Sequence, residues 1–226
     1  MIIIGFMLSS FVYWSVENYC NQKSWWRKRS CCDQCLARLK AVDLIPLISF
    51  MLLRGRASCC NGIISKKYFI TEVIVVVLML PLGFEMKLVN LLEGIVVLLL
   101  FWMTLVDYQT LHIPIPIVVV IMMIGLYLRE TACEGTILIP LLLCVLLYII
   151  FRHSLGSGDI WLFAALSTWM DVITFMFFVG LSAVLALVYV ILMDRQGLVP
   201  FCPFIGSSFY IVIIMEEVFR WAHNQL

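Results

Sequence analysis

The stretch LVNLLEGIVVLLLFWMTLV, Leu88 to Val106, runs directly into Asp107 and the polar segment Tyr108-Gln109-Thr110-Leu111-His112. At about 1.5 Å per residue such a run makes a helix of about 28 Å, close to the roughly 30 Å hydrocarbon core of a bilayer. It reads as a transmembrane helix that delivers an acid to the membrane boundary. A carboxylate there is costly to keep, so Asp107 is a candidate functional residue.

The pattern extends along the whole chain. Apolar spans are expected near Ile2 to Val16, Ile70 to Phe84, Leu88 to Val106, Ile113 to Leu128, Thr136 to Phe151, Ile160 to Trp169, Val172 to Met193 and Phe204 to Trp221. The fold class is therefore all-α, a polytopic membrane protein of about eight transmembrane helices, the sixth being short. Composition agrees: of 226 residues 64% are hydrophobic and 13% charged, and mean hydropathy is +1.08. A soluble domain carries about a quarter charged residues. The expected partner surface is lipid, and no nucleic-acid partner is expected.

Charge distribution sets the expected topology. Ten of the 15 Lys and Arg fall between Lys23 and Lys67, so the positive-inside rule places that loop in the cytoplasm and the N-terminus outside. Counting crossings then brings Asp107 and Asp159 to the same cytoplasmic face. Gly83 to Lys87 and Arg129 to Gly135 would be external, and Asp194 to Pro203 cytoplasmic. The first span has no basic residues before it and no convincing small-residue cleavage site after it, so it is expected to be retained rather than removed as a signal peptide. The expected division is a first helix over 1–16, a basic cytoplasmic loop bearing cysteines over 17–69, and a seven-helix core over 70–226.

Gly156-Ser157-Gly158-Asp159 places two flexible glycines ahead of the second boundary acid. Paired carboxyls that share one proton can activate water. The bland alternatives are that Asp159 caps a helix and that Asp107 is merely solvated at an interface; His112 reads as interfacial. Among the cysteines, Cys32-x-x-Cys35 has zinc-knuckle spacing, and Cys59 with Cys60 supplies two more thiols for a closed tetrahedral site. The alternative is a loop of reduced thiols without metal. Cys20, Cys133, Cys144 and Cys202 read as ordinary small apolar or loop residues.

Together these residues resemble the type IV prepilin peptidases, a family of membrane aspartic proteases with a Gly-x-Gly-Asp motif. The resemblance rests on Asp107 with Pro114, Gly156 to Asp159, Cys32-Asp33-Gln34-Cys35, and Asp43-Leu44-Ile45-Pro46-Leu47-Ile48-Ser49-Phe50. It continues through Leu52-Leu53-Arg54-Gly55-Arg56, Ile64-Ser65-Lys66-Lys67-Tyr68 with Glu72, and Pro200-Phe201-Cys202-Pro203-Phe204. It implies an endopeptidase of the bacterial inner membrane with Asp107 and Asp159 as the catalytic pair. The substrates implied are type IV pilin or pseudopilin precursors, whose basic leader is cut at the cytoplasmic face. Many members also methylate the new N-terminus with S-adenosylmethionine. Three positions depart from the family pattern: Trp161 stands where a Lys is usual, Pro116 replaces an acidic or amide residue, and Ala57 occupies the place of the first Cys of the second pair. Cys59 is then the substitute ligand, with Cys31 in reserve. Asp33, Asp43 and Glu72 are candidate counter-charges for a basic leader. A rival reading is a small transporter or channel with the aspartates as ion or proton ligands, although such sites usually lie near the midplane.

Overall fold

The computed structural model describes residues 2–22, 31–32, 34–40, 43, 45, 47–83, 88–128, 135–151, 156–194 and 197–225. Asp33, Cys133, Lys23 and Arg27 to Arg29, and most of the two expected external loops, lie outside the described residues. Among those described the chain is all-helical, with no strand and only two isolated antiparallel bridges. The helices are α1 (Ile2–Cys20), α2 (Ile48–Leu52), α3 (Lys66–Met79), α4 (Leu88–Thr110), α5 (Ile115–Leu128), α6 (Gly135–Phe151), α7 (Ser157–Leu166), α8 (Val172–Met193) and α9 (Cys202–Gln225).

Three of them are long and apolar enough to cross a membrane: α4, α8 and Cys202–Phe219 of α9. On α8, Ile173, Leu187 and Leu192 are largely exposed. A water-soluble surface rarely tolerates so much contiguous apolar area, whereas lipid does not penalise it. The short helix α7 is different. Its ten residues reach about 15 Å, but Leu162, Phe163, Ala165 and Leu166 are buried, so it is a core helix wrapped by its neighbours.

The chain forms two compact units, Met1–Gly94 and Ile95–Leu226. In the first, α1 lies along α3. Tyr13 and Tyr68 meet edge to face with ring centroids 4.6 Å apart, and the Tyr68 hydroxyl donates to Glu17 Oε2 at 2.7 Å. Val16 and Val75 are fully buried there. The short α2 sits over α3 through stacked Phe50 and Phe69. Leu47, which opens α2 in the left-handed region (φ 58), donates its N–H to Glu72 at 2.7 Å. Glu72 thus holds a strained turn, and Asp43 accepts from Lys40 N–H and the Ser58 hydroxyl.

In the second unit α7 is clasped by α5, α6 and α9 around an aromatic core of Phe163, Phe175, Phe178 and Phe209. Gly125 lets α5 close on Thr168 and Trp169, and Trp169 Nε1–H donates to the Ile121 carbonyl at 3.3 Å. Leu100 and Thr104 of α4 pack on Gly206 of α9. These contacts bring the end of α4, the start of α7 and the start of α9 to one place.

Candidate active site and metal centre

Asp107 lies in the last turn of α4 and is only 5% exposed. Its Oδ2 accepts the backbone N–H of Cys202 at 3.1 Å. Cys202 is the first residue of α9, so the donor is one of the N–H groups that a helix start leaves without an internal partner. Such a donor stabilises negative charge on the carboxylate. The α4 backbone ends here as well: Leu111 turns into the left-handed region (φ 51) and donates its N–H to the Asp107 carbonyl at 2.8 Å.

Asp159 lies in the first turn of α7, just ahead of the apolar stretch that begins at Ile160. Gly156 is the N-cap; the Asp159 N–H donates to its carbonyl at 3.2 Å, and the carboxyl takes a hydrogen bond from the Gly156 N–H in return. The N-cap is thus Gly156, and Asp159 sits inside the first turn. Burial, and then the charge of Asp107 nearby, push the Asp159 carboxyl up to about 7. Residues 52 positions apart in sequence (159 minus 107) thus face one buried spot at the start of α9.

Gly158 explains the second glycine of the motif. A Cβ at this position would lie 2.9 Å from Ile113 Cβ, on the turn between α4 and α5. That neighbour is not the flexible end of a side chain, so backbone must move. Gly158→Ala is expected to cost about 1–3 kcal/mol by overpacking and to lower activity at least about tenfold. Catalytic rate measured at matched levels of inserted protein checks this; full activity would show that the α5–α7 approach does not set the Asp159 position.

His112 and Trp161 are exposed and do not enter the buried spot. Cys202, which reads in sequence as an ordinary apolar position, is fully buried and supplies the Asp107 donor. The sequence signal that marks it is its place in the Pro200-Phe201-Cys202-Pro203-Phe204 stretch, which carries no hint of the main-chain donor. A recess of about 270 Å³ lies beside this region, lined by Tyr108 and Gln109 of α4 and Leu111 just after it, and by Tyr189 with Leu198 to Pro200.

In the first unit the sulfurs of Cys32, Cys35, Cys59 and Cys60 all lie within 4.8 Å of one another; Cys32 and Cys60 are 3.7 Å apart, Cys35 and Cys59 3.3 Å. A tetrahedral ion with 2.3 Å bonds to sulfur needs edges of about 3.8 Å, so the cluster fits one with small adjustments. The two loops are built alike. Cys32 N–H bonds the Ala37 carbonyl and Leu36 N–H the Cys32 carbonyl, with Leu36 at φ 58 and a bridge between Cys31 and Arg38. Shifted by 25 residues, Ala57 N–H bonds Gly62 and Asn61 N–H bonds Ala57, with Asn61 at φ 60 and a bridge between Arg56 and Ile63. Cys60 thus matches Cys35, Ala57 stands where Cys32 would be, and Cys59, the counterpart of Gln34, supplies the fourth sulfur. A Cβ at Gly62 would displace the end of the Gln34 side chain and crowd Cys60 Sγ at 3.2 Å. The N–H groups of Cys35 and Gln34 bring the Cys32 thiol down to about 7, while the Cys35 sulfur beside it pushes Cys59 up to about 12. Four thiolates cannot crowd together without a cation. Cys31 is outside this set, and Cys144 is buried in the other unit.

The prepilin leader peptidase/N-methyltransferase of Klebsiella pneumoniae is 32% identical to the chain over 159 residues, covering 62% of the chain and 68% of that protein. The chain belongs to the prepilin leader peptidase/N-methyltransferase family. Another member, from Pectobacterium carotovorum subsp. carotovorum, is 31% identical over 160 residues, a stretch that spans 57% of that protein. The Legionella pneumophila member is 28% identical over 216 residues, covering 85% of the chain and 75% of its own length. The bacterial peptidase A24 N-terminal domain matches residues 3–86, which takes in α1, the cysteine loops and α3. No solved structure matches the chain.

Proposed function

We propose that the chain is an aspartic endopeptidase that removes the basic leader from type IV pilin-like precursors, with Asp107 and Asp159 as the catalytic pair. The observation that carries this is the convergence of the two acids on one buried spot, where Asp159 feels the charge of Asp107. Two close carboxyls favour a state with one shared proton. The ionised member takes a proton from water, the other polarises the scissile carbonyl, and the roles exchange as the amine leaves, without a covalent intermediate. The donor from Cys202 favours Asp107 as the ionised partner. The pair titrates as a unit.

In this reading α1, α3 with its terminal turn, α4 to α6, the short span Ile160 to Trp169, α8 and α9 supply eight crossings of the bacterial inner membrane. The N-terminus is outside and both acids are at the cytoplasmic face. Residues 1–16 form the first span, 17–69 the cytoplasmic loop and 70–226 the peptidase core. The substrate's apolar helix lies in lipid beside the enzyme, with its basic leader in the cytoplasm. Cys32, Cys35, Cys59 and Cys60 would hold a structural zinc, which would clamp the two loops. The relatives' names carry N-methyltransferase as a second activity, and methylation of the new N-terminus with S-adenosylmethionine is the form of it that fits this chain's reading. The transporter reading is not favoured by the family.

The test is incubation of the full purified chain in detergent with a pilin-like precursor. A shortened product that requires both acids supports the peptidase; an unchanged precursor sinks it.

A further inference from the structure

We propose that the cysteine module between α1 and α3 docks on an anionic phospholipid surface. Its apolar tips Leu36, Met51, Leu52 and Ile63 enter the acyl region, and its Lys and Arg side chains hold the phosphate headgroups. The inference rests on the membrane topology proposed above and adds a peripheral lipid-binding surface to it.

Exposure comes first. Leu36, Met51, Leu52 and Ile63 are each at least 68% exposed, and none belongs to an expected crossing. Large apolar side chains left open in a polar loop mark a contact surface. The tips belong to one connected body. On α2, Phe50 turns inward onto Phe69 and against Gly55, which leaves Ile48, Met51 and Leu52, three and four positions apart, on the open face. Gln34 Nε2 donates to the Ile63 carbonyl at 3.3 Å, joining the loop that carries Leu36 to the one that carries Ile63. The bond from the Ser58 hydroxyl to Asp43 ties the second loop to the segment before α2.

Charge decides the occupant. Arg38, Lys40, Arg54, Arg56, Lys66 and Lys67 are all exposed, and none of these side chains makes an ion pair with another described residue. They outnumber the acids of the same stretch, Asp33 and Asp43, six to two. A zinc held by four thiolates, although anionic itself, does not reverse that balance. A basic leader or a second copy of this chain would bring like charge to this surface, whereas anionic headgroups neutralise it. Apolar tips flanked by Lys and Arg, whose long stems reach past them to the headgroups, are the pattern of a segment lying in the membrane interface. The module is also tethered there. The bond from the Tyr68 hydroxyl to Glu17 sets the end of α1 beside the start of α3, so both ends of the module leave from one point of the membrane surface. Docking is then intramolecular and favoured by a high effective concentration.

The experiment places a photoreactive benzoylphenylalanine at Leu52 or Ile63 of the full chain. The chain is reconstituted in nanodiscs of phosphatidylcholine alone or mixed with phosphatidylglycerol, with a pilin-like precursor present, and the mass of the cross-linked adduct is read. Each Lys or Arg near an anionic surface favours docking about fivefold, so the phospholipid adduct at both positions is expected to be at least about fivefold greater in the anionic discs. High salt should reduce that excess. Arg38→Gln combined with Lys40→Gln should reduce it as well. Equal lipid adducts in both discs, an adduct to the precursor or to a second copy in place of lipid, or no adduct at all overturns the proposal. The same probe at Leu187, an outward residue of the apolar helix α8, is expected to take lipid in either disc. Failure at Leu187 sinks the membrane-spanning reading and the docking with it; lipid at Leu187 with none at Leu52 and Ile63 sinks the docking alone.

Discussion

Asp107→Asn and Asp159→Asn are each expected to reduce leader cleavage by roughly 10²–10⁴-fold, the range that a positioned acid or base contributes. Asn keeps the shape of the side chain and abolishes proton exchange, so the comparison isolates chemistry from packing. At Asp107 the amide oxygen still accepts the Cys202 N–H that the carboxylate now takes at 3.1 Å, and the start of α9 stays anchored. At Asp159 the change removes a half-buried acid whose carboxyl is already pushed up to about 7; a neutral amide costs less to bury. Both variants should therefore insert and fold at least as well as the wild type. The same value gives a pH dependence. If Asp159 holds the proton that polarises the carbonyl, cleavage falls on the alkaline side as pH passes about 7, because the protonated fraction declines there. Initial rates with a pilin-like precursor across pH, beside the yield of inserted protein, check both statements. A fully active Asn variant at either position would end the assignment of the pair.

Apolar runs locate the helices well because lipid imposes one demand on every crossing, an unbroken length of apolar side chains. The span read from Leu88 to Val106 is α4, and the helix continues four residues further to Thr110. That extension puts Asp107 inside the last turn rather than after it, which period and hydropathy do not reveal. The shortness of the sixth span was legible from Ile160 to Trp169; its burial was not, because an apolar side chain reads alike whether it faces lipid or protein. Asp107 and Asp159 stand out in sequence as acids where acids are expensive. Cys202 does not, since its contribution is a main-chain N–H that carries no residue signature and meets its acceptor 95 positions away. Glu72 shows the converse. Its charge suggested a role toward a basic leader, and its carboxylate is occupied by the Leu47 N–H at the strained start of α2.

Loss of a single ligand from the cysteine cluster is expected to have the second large effect, because structural zinc in such sites contributes apparent binding free energies of about 10–16 kcal/mol near neutral pH. Cys32→Ser and Cys59→Ser should each reduce bound zinc from one per chain to a small fraction, measured by elemental analysis of purified protein. Cys31→Ser should leave it near one, since Cys31 is not among the four clustered sulfurs. The repeat between the loops allows a sharper test. Ala57 occupies the place that Cys32 holds in the first loop, with matching hydrogen bonds to Gly62 and from Asn61, and is itself buried. Moving the fourth thiol there, as Ala57→Cys together with Cys59→Ser, rebuilds two like Cys-x-x-Cys loops and should restore zinc to about one per chain. A geometric site predicts this rescue; a loose group of reduced thiols does not, because the double variant has no more cysteines than the wild type and one thiol has simply moved from position 59 to position 57. An intact protein without zinc refutes the site, and a double variant no better than Cys59→Ser refutes the correspondence between the loops.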